Sequence, residues 1–239
     1  MYNEEWSRSA MLLGEEGLQR LQRAHILLFG VGGVGGYTAE ALARCGVGAL
    51  TLVDRDVISV SNINRQIIAL HSTLGQPKVE VMRQRIADIS PACRVTALQR
   101  FYLPENAAEF PFEGYDYIID AVDNVSAKLS IVQRAAAAGV PVISSMGTGN
   151  KLDAARLRIA DLADTQVCPL ARVVRRELRK RGIAHCKVLF SEEEPRARRT
   201  DVPPDPVTGR CPPGSVSFVP SVAGLLIAGE VVRELTGLH

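Results

Sequence analysis

Only five cysteines occur in this chain (Cys45, Cys93, Cys168, Cys186 and Cys211), and no two stand in a C-x-x-C pair. An odd, scattered set excludes a disulfide-framed secreted fold and gives no zinc-ligand spacing, so free thiols are expected. No stretch approaches the roughly 18 uninterrupted apolar residues of a membrane-spanning helix. The N-terminal Met1-Tyr2-Asn3-Glu4-Glu5-Trp6 is polar and acidic rather than signal-like, so no membrane partner and a cytoplasmic location are expected. Aromatic residues make up 5%, too few for a nucleic-acid surface built on base stacking. The net charge of +2 is close to neutral, so any basic footprint must be local. What is plentiful is apolar content: 46% hydrophobic residues in 239 suffice for one good core.

The first half alternates short β-rich runs with helical stretches, the signature of parallel strands joined by helices. Strands are expected at His25–Phe29, Ala49–Val53, Arg94–Leu98, Tyr115–Asp120 and Pro141–Ser145, with helices at Lys78–Ile89 and Ser126–Ala138. Ser90-Pro91 and Gly139 end those helices. Beyond Gly147 the texture is less regular. Leu157–Asp161 reads as a strand, Pro169–Arg181 as a helix, Ser215–Val219 as a last strand and Ser221–Leu235 as a closing helix. Glu192–Gly214 holds six of the thirteen prolines and reads as a mobile loop that orders on binding. The expected fold is α/β: a Rossmann-like, doubly wound, mostly parallel sheet with a smaller C-terminal extension of strands and helices. It forms one domain over 1–239, with a nucleotide-binding core to about 150 and an extension over 151–239.

Gly30-Val31-Gly32-Gly33-Val34-Gly35 lies between a strand and a helix, where glycines let the backbone approach a phosphate and helix amides point at the anion. Gly30, Gly32, Gly33 and Gly35 are therefore candidate nucleotide contacts. Asp54, at the end of the next apolar run, stands where a ribose-binding acid belongs. The loop lacks the Gly-Lys-Ser or Gly-Lys-Thr of a P-loop, so cations for a reacting triphosphate must come from elsewhere. Arg65 and Lys78, in the crossover after Asp54, are the candidates; hydride transfer has no need of them.

Five ordered motifs resemble the ThiF/MoeB/ubiquitin-activating-like adenylating enzymes over about Ser7 to Gly149. They are the glycine loop, Asp54-Arg55-Asp56, Ser61-Asn62-Ile63-Asn64-Arg65-Gln66, Gly75-Gln76-Pro77-Lys78 and Asp120-Ala121-Val122-Asp123-Asn124. The resemblance implies ATP and Mg²⁺. It places ribose on Asp54, phosphates on Asn62, Arg65 and Lys78, and Mg²⁺ or the adenylate on Asp123; Asp56, Gln66 and Asn124 join the nucleotide site through the same motifs. Arg8 resembles the N-terminal arginine that reaches into a partner subunit's site, which implies a homodimer. A helix cap for Asp123 and a solvated crossover for Arg65 and Lys78 are the plainer alternatives.

A narrower resemblance, to the tRNA threonylcarbamoyladenosine dehydratase branch, rests on Arg8–Gly14, Ser144–Asp153, Pro169–Lys180 and the tail from Gly214 to Val232. It implies an enzyme that uses ATP to cyclise threonylcarbamoyladenosine beside the tRNA anticodon by adenylating the threonyl carboxylate. Phosphate tracking by Arg172, Arg175, Arg176, Arg179, Lys180, Arg196, Arg198 and Arg199 fits such a substrate. Adenylation of a ubiquitin-like sulfur carrier's C-terminus is the alternative. Partner recruitment, of a cysteine desulfurase or a sulfur-acceptor protein, and nicotinamide chemistry are further readings. Cys168, before Pro169 at a helix start, reads as a small buried thiol or, alternatively, as an acyl-thioester or sulfur-relay site; Cys186 and Cys211 are weaker versions of the same question.

Overall fold

The computed structural model describes residues 4–197, 199–200 and 211–238. Its helices are α1 (Ser7–Arg23), α2 (Gly35–Arg44), α3 (Lys78–Ile89), α4 (Val125–Ala138), α5 (Pro169–Lys180) and α6 (Phe218–Thr236). Its strands are β1 (His25–Phe29), β2 (Ala49–Val53), β3 (Arg94–Leu98), β4 (Tyr117–Asp120), β5 (Val142–Ser145), β6 (Leu157–Asp161) and β7 (Lys187–Ser191). They form one seven-stranded sheet in the order β3-β2-β1-β4-β5-β7-β6, parallel throughout except for β6 against β7. Strand order reverses between β1 and β4, which opens a crevice outside the carboxyl ends of the strands.

The central strands carry no polar alternation because both sheet faces are covered. Ile26 and Leu28 of β1 join one apolar cluster with residues of α1, α2, α3 and α6, while Leu27 and Phe29 join another with Tyr102, Phe110, Phe112 and Ile131. Period two thus sends one strand into two cores. Gly139 ends α4 in the left-handed conformation expected of a C-terminal glycine cap.

Three elements depart from expectation. Ser215–Val219 is not a strand; α6 begins at Phe218, and the β-branched Val219 faces the core from its first turn. The seventh strand is Lys187–Ser191, inserted between β5 and β6, where its Val-Leu-Phe run is buried. An N-terminal helix, α1, precedes the sheet; Gly14, at φ 69°, kinks it and interrupts its helical pattern. In the expected loop at 192–214, residues 198 and 201–210 lie outside the described residues. Among the described residues no helix is long and apolar enough to cross a membrane.

Candidate active site

The glycine loop closes so tightly at its two ends that Gly30 and Gly35 leave no room for a side chain. A Cβ on Gly35 would lie 1.8 Å from the Gly30 carbonyl oxygen, and one on Gly30, at φ 90°, would lie 2.7 Å from the Ala121 carbonyl oxygen. Asp54 braces the loop from β2: its carboxylate accepts the Val31 N–H at 2.7 Å and the Asp56 N–H at 2.8 Å. Burial pushes the Asp54 carboxyl up, opposed by the Lys78 charge and those two amide donors.

Lys78 is the first residue of α3 and is buried, with Nζ 2.9 Å from Asp56 Oδ2. Its stem is desolvated while its ammonium sits at the cleft beside a half-exposed acid. Arg65 is held by donation from Nη1 to the Ser61 carbonyl at 2.8 Å and to Asn64 Oδ1 at 2.9 Å, and burial pulls its pKa down. Asn62 accepts the Ser59 N–H at 3.1 Å and so fixes the turn that carries Arg65. Gln66 is buried at the same place, and its Oε1 has no hydrogen-bond partner. An unpaired buried amide in a cleft marks a place for a ligand or water.

At the end of β4, Asn124 caps α4 by accepting the Ala127 N–H at 3.0 Å and the Ser126 hydroxyl at 2.6 Å. The capping task suggested as the plainer role for Asp123 thus falls to its neighbour, and Asp123 is exposed on the cleft. The cleft measures about 390 Å³ and brings together Gly30, Gly32 and Gly33 of the glycine loop, Asp54, Asp56, Asn62, Arg65, Gln66, Lys78, Asp123 and Asn124. Gly35, expected to contact the nucleotide, is not in the lining but packs behind it against the Gly30 carbonyl. Residues at the N-terminal ends of α2, α3, α4 and α6 all border the cleft, so four positive dipole ends converge there with the cationic side chains of Arg55, Arg65, Lys78 and Arg100. Such a site suits a polyanion.

Several cleft residues escaped the sequence reading. Arg55, stacked 3.9 Å over the Phe101 ring, and Arg100 and Tyr102 follow the ends of β2 and β3. Position just past a parallel strand was an available signal for them. Thr148, Pro213 and Ser215 also line the cleft; Ser215 is tied in by Asn64, whose Nδ2 donates to its carbonyl at 3.0 Å. No local signal announces that contact.

Other expected residues lie elsewhere. Arg8 is exposed on α1 and does not line its own chain's cleft. Arg172, Arg176, Arg179 and Lys180 are exposed on α5, but Arg176 and Lys180 pair with Glu177, whose carboxyl they and Arg181 hold down to about 2. Arg175 departs from the expected patch: its guanidinium is turned inward onto the Leu162 and Thr165 carbonyls and the Thr165 hydroxyl. Arg196 pairs with Glu193 at 2.8 Å, Arg199 is exposed, and Arg198 lies outside the described residues. Cys168 is buried in an apolar cluster with Met146 and Leu129, and Cys186 shares that cluster, whereas Cys211 is half-buried beside the cleft residue Pro212. Burial pushes Cys186 up to about 12. Among the described residues no three His, Cys, Asp or Glu side chains are grouped to hold a metal.

Comparison with known proteins gives three concordant findings. The ThiF family model matches residues 6–239. The chain is 46% identical over 239 residues to the tRNA threonylcarbamoyladenosine dehydratase of Bacillus subtilis, covering 97% of this chain and 94% of that protein. It also superposes on crystal structures of the Escherichia coli tRNA N6-threonylcarbamoyladenosine dehydratase in complex with AMP and with ATP, with TM-scores of 0.88 and 0.87. Both structures are 33% identical, with 99% of this chain and 97% of that chain covered.

Proposed function

The chain belongs to the ThiF family, and from that premise we propose that it catalyses the ATP-dependent dehydration of threonylcarbamoyladenosine in tRNA. The observation that carries the reading is the convergence of Lys78, Arg65 and four helix N-termini on a glycine-lined cleft. Its support from comparison is the near full-length similarity to proteins of that name and to one solved with ATP. The whole chain works as one adenylating unit on this reading, since β6 and β7 of the extension complete the sheet of the nucleotide core.

A carboxylate is a poor electrophile until its oxygen becomes a leaving group. Attack of the threonyl carboxylate on the α-phosphate of ATP makes an acyl-adenylate and releases pyrophosphate. The neighbouring carbamoyl group then attacks the acyl carbon and AMP leaves, so the nucleoside loses one water in net terms. Lys78, Arg65 and the loop amides neutralise charge on the departing pyrophosphate, a role worth about 10²–10³-fold per preorganised donor. Asp54, besides bracing the loop, offers its remaining lone pairs to ribose hydroxyls. Asp123 is the carboxylate available to Mg²⁺; a magnesium ion commonly takes one or two protein carboxylates and completes its shell with phosphate oxygens and water. That donor set fits a cleft in which no three metal-ligating side chains are grouped among the described residues. When bound, the ion supplies charge neutralisation to the phosphates.

The enzyme acts as a homodimer on this reading, with Arg8 reaching the partner's cleft. Its exposure, and that of Met11 and Leu12 at 83% each on the same helix, supports the arrangement. Mixing Arg8→Ala with Asp123→Ala subunits should then restore one working site per mixed dimer; no recovery would argue for action within one chain.

The deciding experiment incubates the protein with ATP, Mg²⁺ and tRNA carrying threonylcarbamoyladenosine, then digests the tRNA for mass spectrometry. The expected product is the nucleoside lighter by one water, formed by the unaltered protein and not by Asp123→Ala. Unchanged tRNA under conditions where ATP binds would overturn the proposal and turn attention to protein carboxyl termini.

A further inference from the structure

Lys128 lies on α4 and is 0% exposed, as is Asp120 at the end of β4. Charges removed this far from water must be paired, yet apolar replacements for such pairs are often no less stable. What the pair connects supplies a reason other than stability.

Lys128 Nζ lies 3.2 Å and 3.1 Å from the two Asp120 carboxylate oxygens and donates to the Ser145 carbonyl at 2.6 Å. The Ser144 hydroxyl donates to Asp120 Oδ2, and the Val122 N–H donates to Asp120 Oδ1 at 3.2 Å. Asp120 is the last residue of β4 and Ser145 the last of β5. The segments that follow, 121–124 and 146–149, supply Ala121, Val122, Asp123 and Asn124 and then Thr148 and Gly149 to the cleft. One ammonium thus ties together the roots of two neighbouring segments on one wall. The same wall touches the glycine loop, because the Ala121 N–H donates to the Phe29 carbonyl at 2.8 Å and the Ala121 carbonyl crowds Gly30. Asp54, Arg65 and Lys78 reach the cleft from other elements, bonded instead to Val31 and Asp56, to Ser61 and Asn64, and to Asp56.

We propose that Lys128 and Asp120 are positioning residues for adenylation, holding Asp123 and the 148–149 segment at the spacing the reacting α-phosphate and carboxylate require. This rests on the dehydratase reading and deepens it. Nucleotide affinity, held largely by the glycine loop and the crossover cations, survives loss of the network. The chemical step, which needs reacting atoms aligned within about an ångström, does not.

The test separates binding from chemistry. In Lys128→Met/Asp120→Asn, both charges are removed together and an acceptor is kept for Val122; Ser144→Ala is a milder variant that leaves the ion pair intact. Thermal unfolding checks the fold, calorimetry reads ATP affinity, and single-turnover dehydration of the tRNA reads chemistry. The double variant is expected to bind ATP within about threefold of the unaltered protein and to react about 30- to 100-fold more slowly, with Ser144→Ala about three- to tenfold slower. Dehydration by the folded double variant within threefold of the unaltered rate overturns the inference. So does a fall in ATP affinity that matches the fall in rate, because the network would then only hold the fold. If the double variant does not fold, Ser144→Ala decides by the same split. No dehydration by the unaltered protein overturns the dehydratase reading and this inference with it; dehydration with no split overturns this inference alone.

Discussion

Two cavities of nearly equal size lie at opposite ends of the same sheet, one of about 390 Å³ at the carboxyl ends of the strands and one of about 430 Å³ at the amino ends. The second is bordered by Trp6, Glu15, Gln19, Gln22, Ser90 and the turn at Gly46, Val47 and Gly48, with no lysine or arginine among its lining residues. Volume does not distinguish them, but helix direction does. In a parallel sheet each crossover helix starts near a strand's carboxyl end and finishes near the next strand's amino end. Donor ends of α2, α3 and α4 therefore face the upper cavity, while α2 and α3 finish beside the lower one at Cys45 and Ser90. Partial positive charge gathers above and partial negative charge below, so a nucleotide's phosphates have one favourable end.

The largest difference between the two ends is expected when each is given the same steric defect. A Cβ on Gly48 would lie 1.8 Å from the Gln22 carbonyl oxygen, the same intrusion as at Gly35 above. Gly35→Ala and Gly48→Ala should each lose about 3 kcal/mol of stability in denaturant titrations. Only Gly35→Ala should lose ATP binding by calorimetry; loss in both would mean that the ends are not independent.

A smaller effect is expected from moving charge. Lys78→Met should lower kcat/KM for ATP by about 10²–10³-fold, whereas Gln22→Lys, which adds a cation at the lower cavity, should leave it unchanged. Equal effects of the two would undo the argument from helix polarity.

Charge away from both cavities should be smaller still in its effect on ATP. Arg172→Glu/Arg179→Glu should weaken tRNA binding and lower its salt dependence by about two phosphate contacts, with ATP affinity unaltered. Arg175→Ala should instead act on stability, because its guanidinium is spent on the Leu162 and Thr165 carbonyls. A salt slope equal to that of the unaltered protein in the double variant would remove α5 from the tRNA surface.

The mildest probe is acid. Burial alone would raise the Glu193 carboxyl, but the Arg196 guanidinium and the Asp153 and Leu152 amides hold it down to about 2. A carboxyl whose folded pKa lies below its ordinary 4.5 adds stability fully above that value and loses it as pH falls toward about 2. Glu193→Gln should therefore flatten the loss of stability across that window, read by urea midpoints. An unaltered acid profile would mean that the ties to Leu152 and Asp153 contribute nothing.

Much of the upper end was legible along the chain. The glycine loop was readable because its requirement for glycine is local, and Asp54 because the β1-α2-β2 unit places the end of β2 beside it. Lys78 was readable by its motif and as the first residue of a helix, though not its pairing with Asp56. The plainer alternative for Asp123, capping α4, falls to Asn124: both residues are competent caps, and only the backbone path decides which side chain turns back. The seventh strand escaped because Lys187–Ser191 follows the irregular segment after α5, and Ser215–Val219 offered a rival β-branched run whose neighbours across the fold favour helix.

What the chain determined by itself are properties of adjacent residues: the alternation of strands and helices, the glycine turn, and the order of motifs that marks a ThiF adenylating enzyme. These follow from backbone sterics and apolar period, which act over a few positions. Tertiary structure alone decided that Lys128 bridges the ends of β4 and β5, that Ser215 meets Asn64, that Arg175 turns inward, and that β7 enters between β5 and β6. Each depends on which elements pack side by side, and that choice is made by burial of surfaces distant in sequence, which leave no local signature.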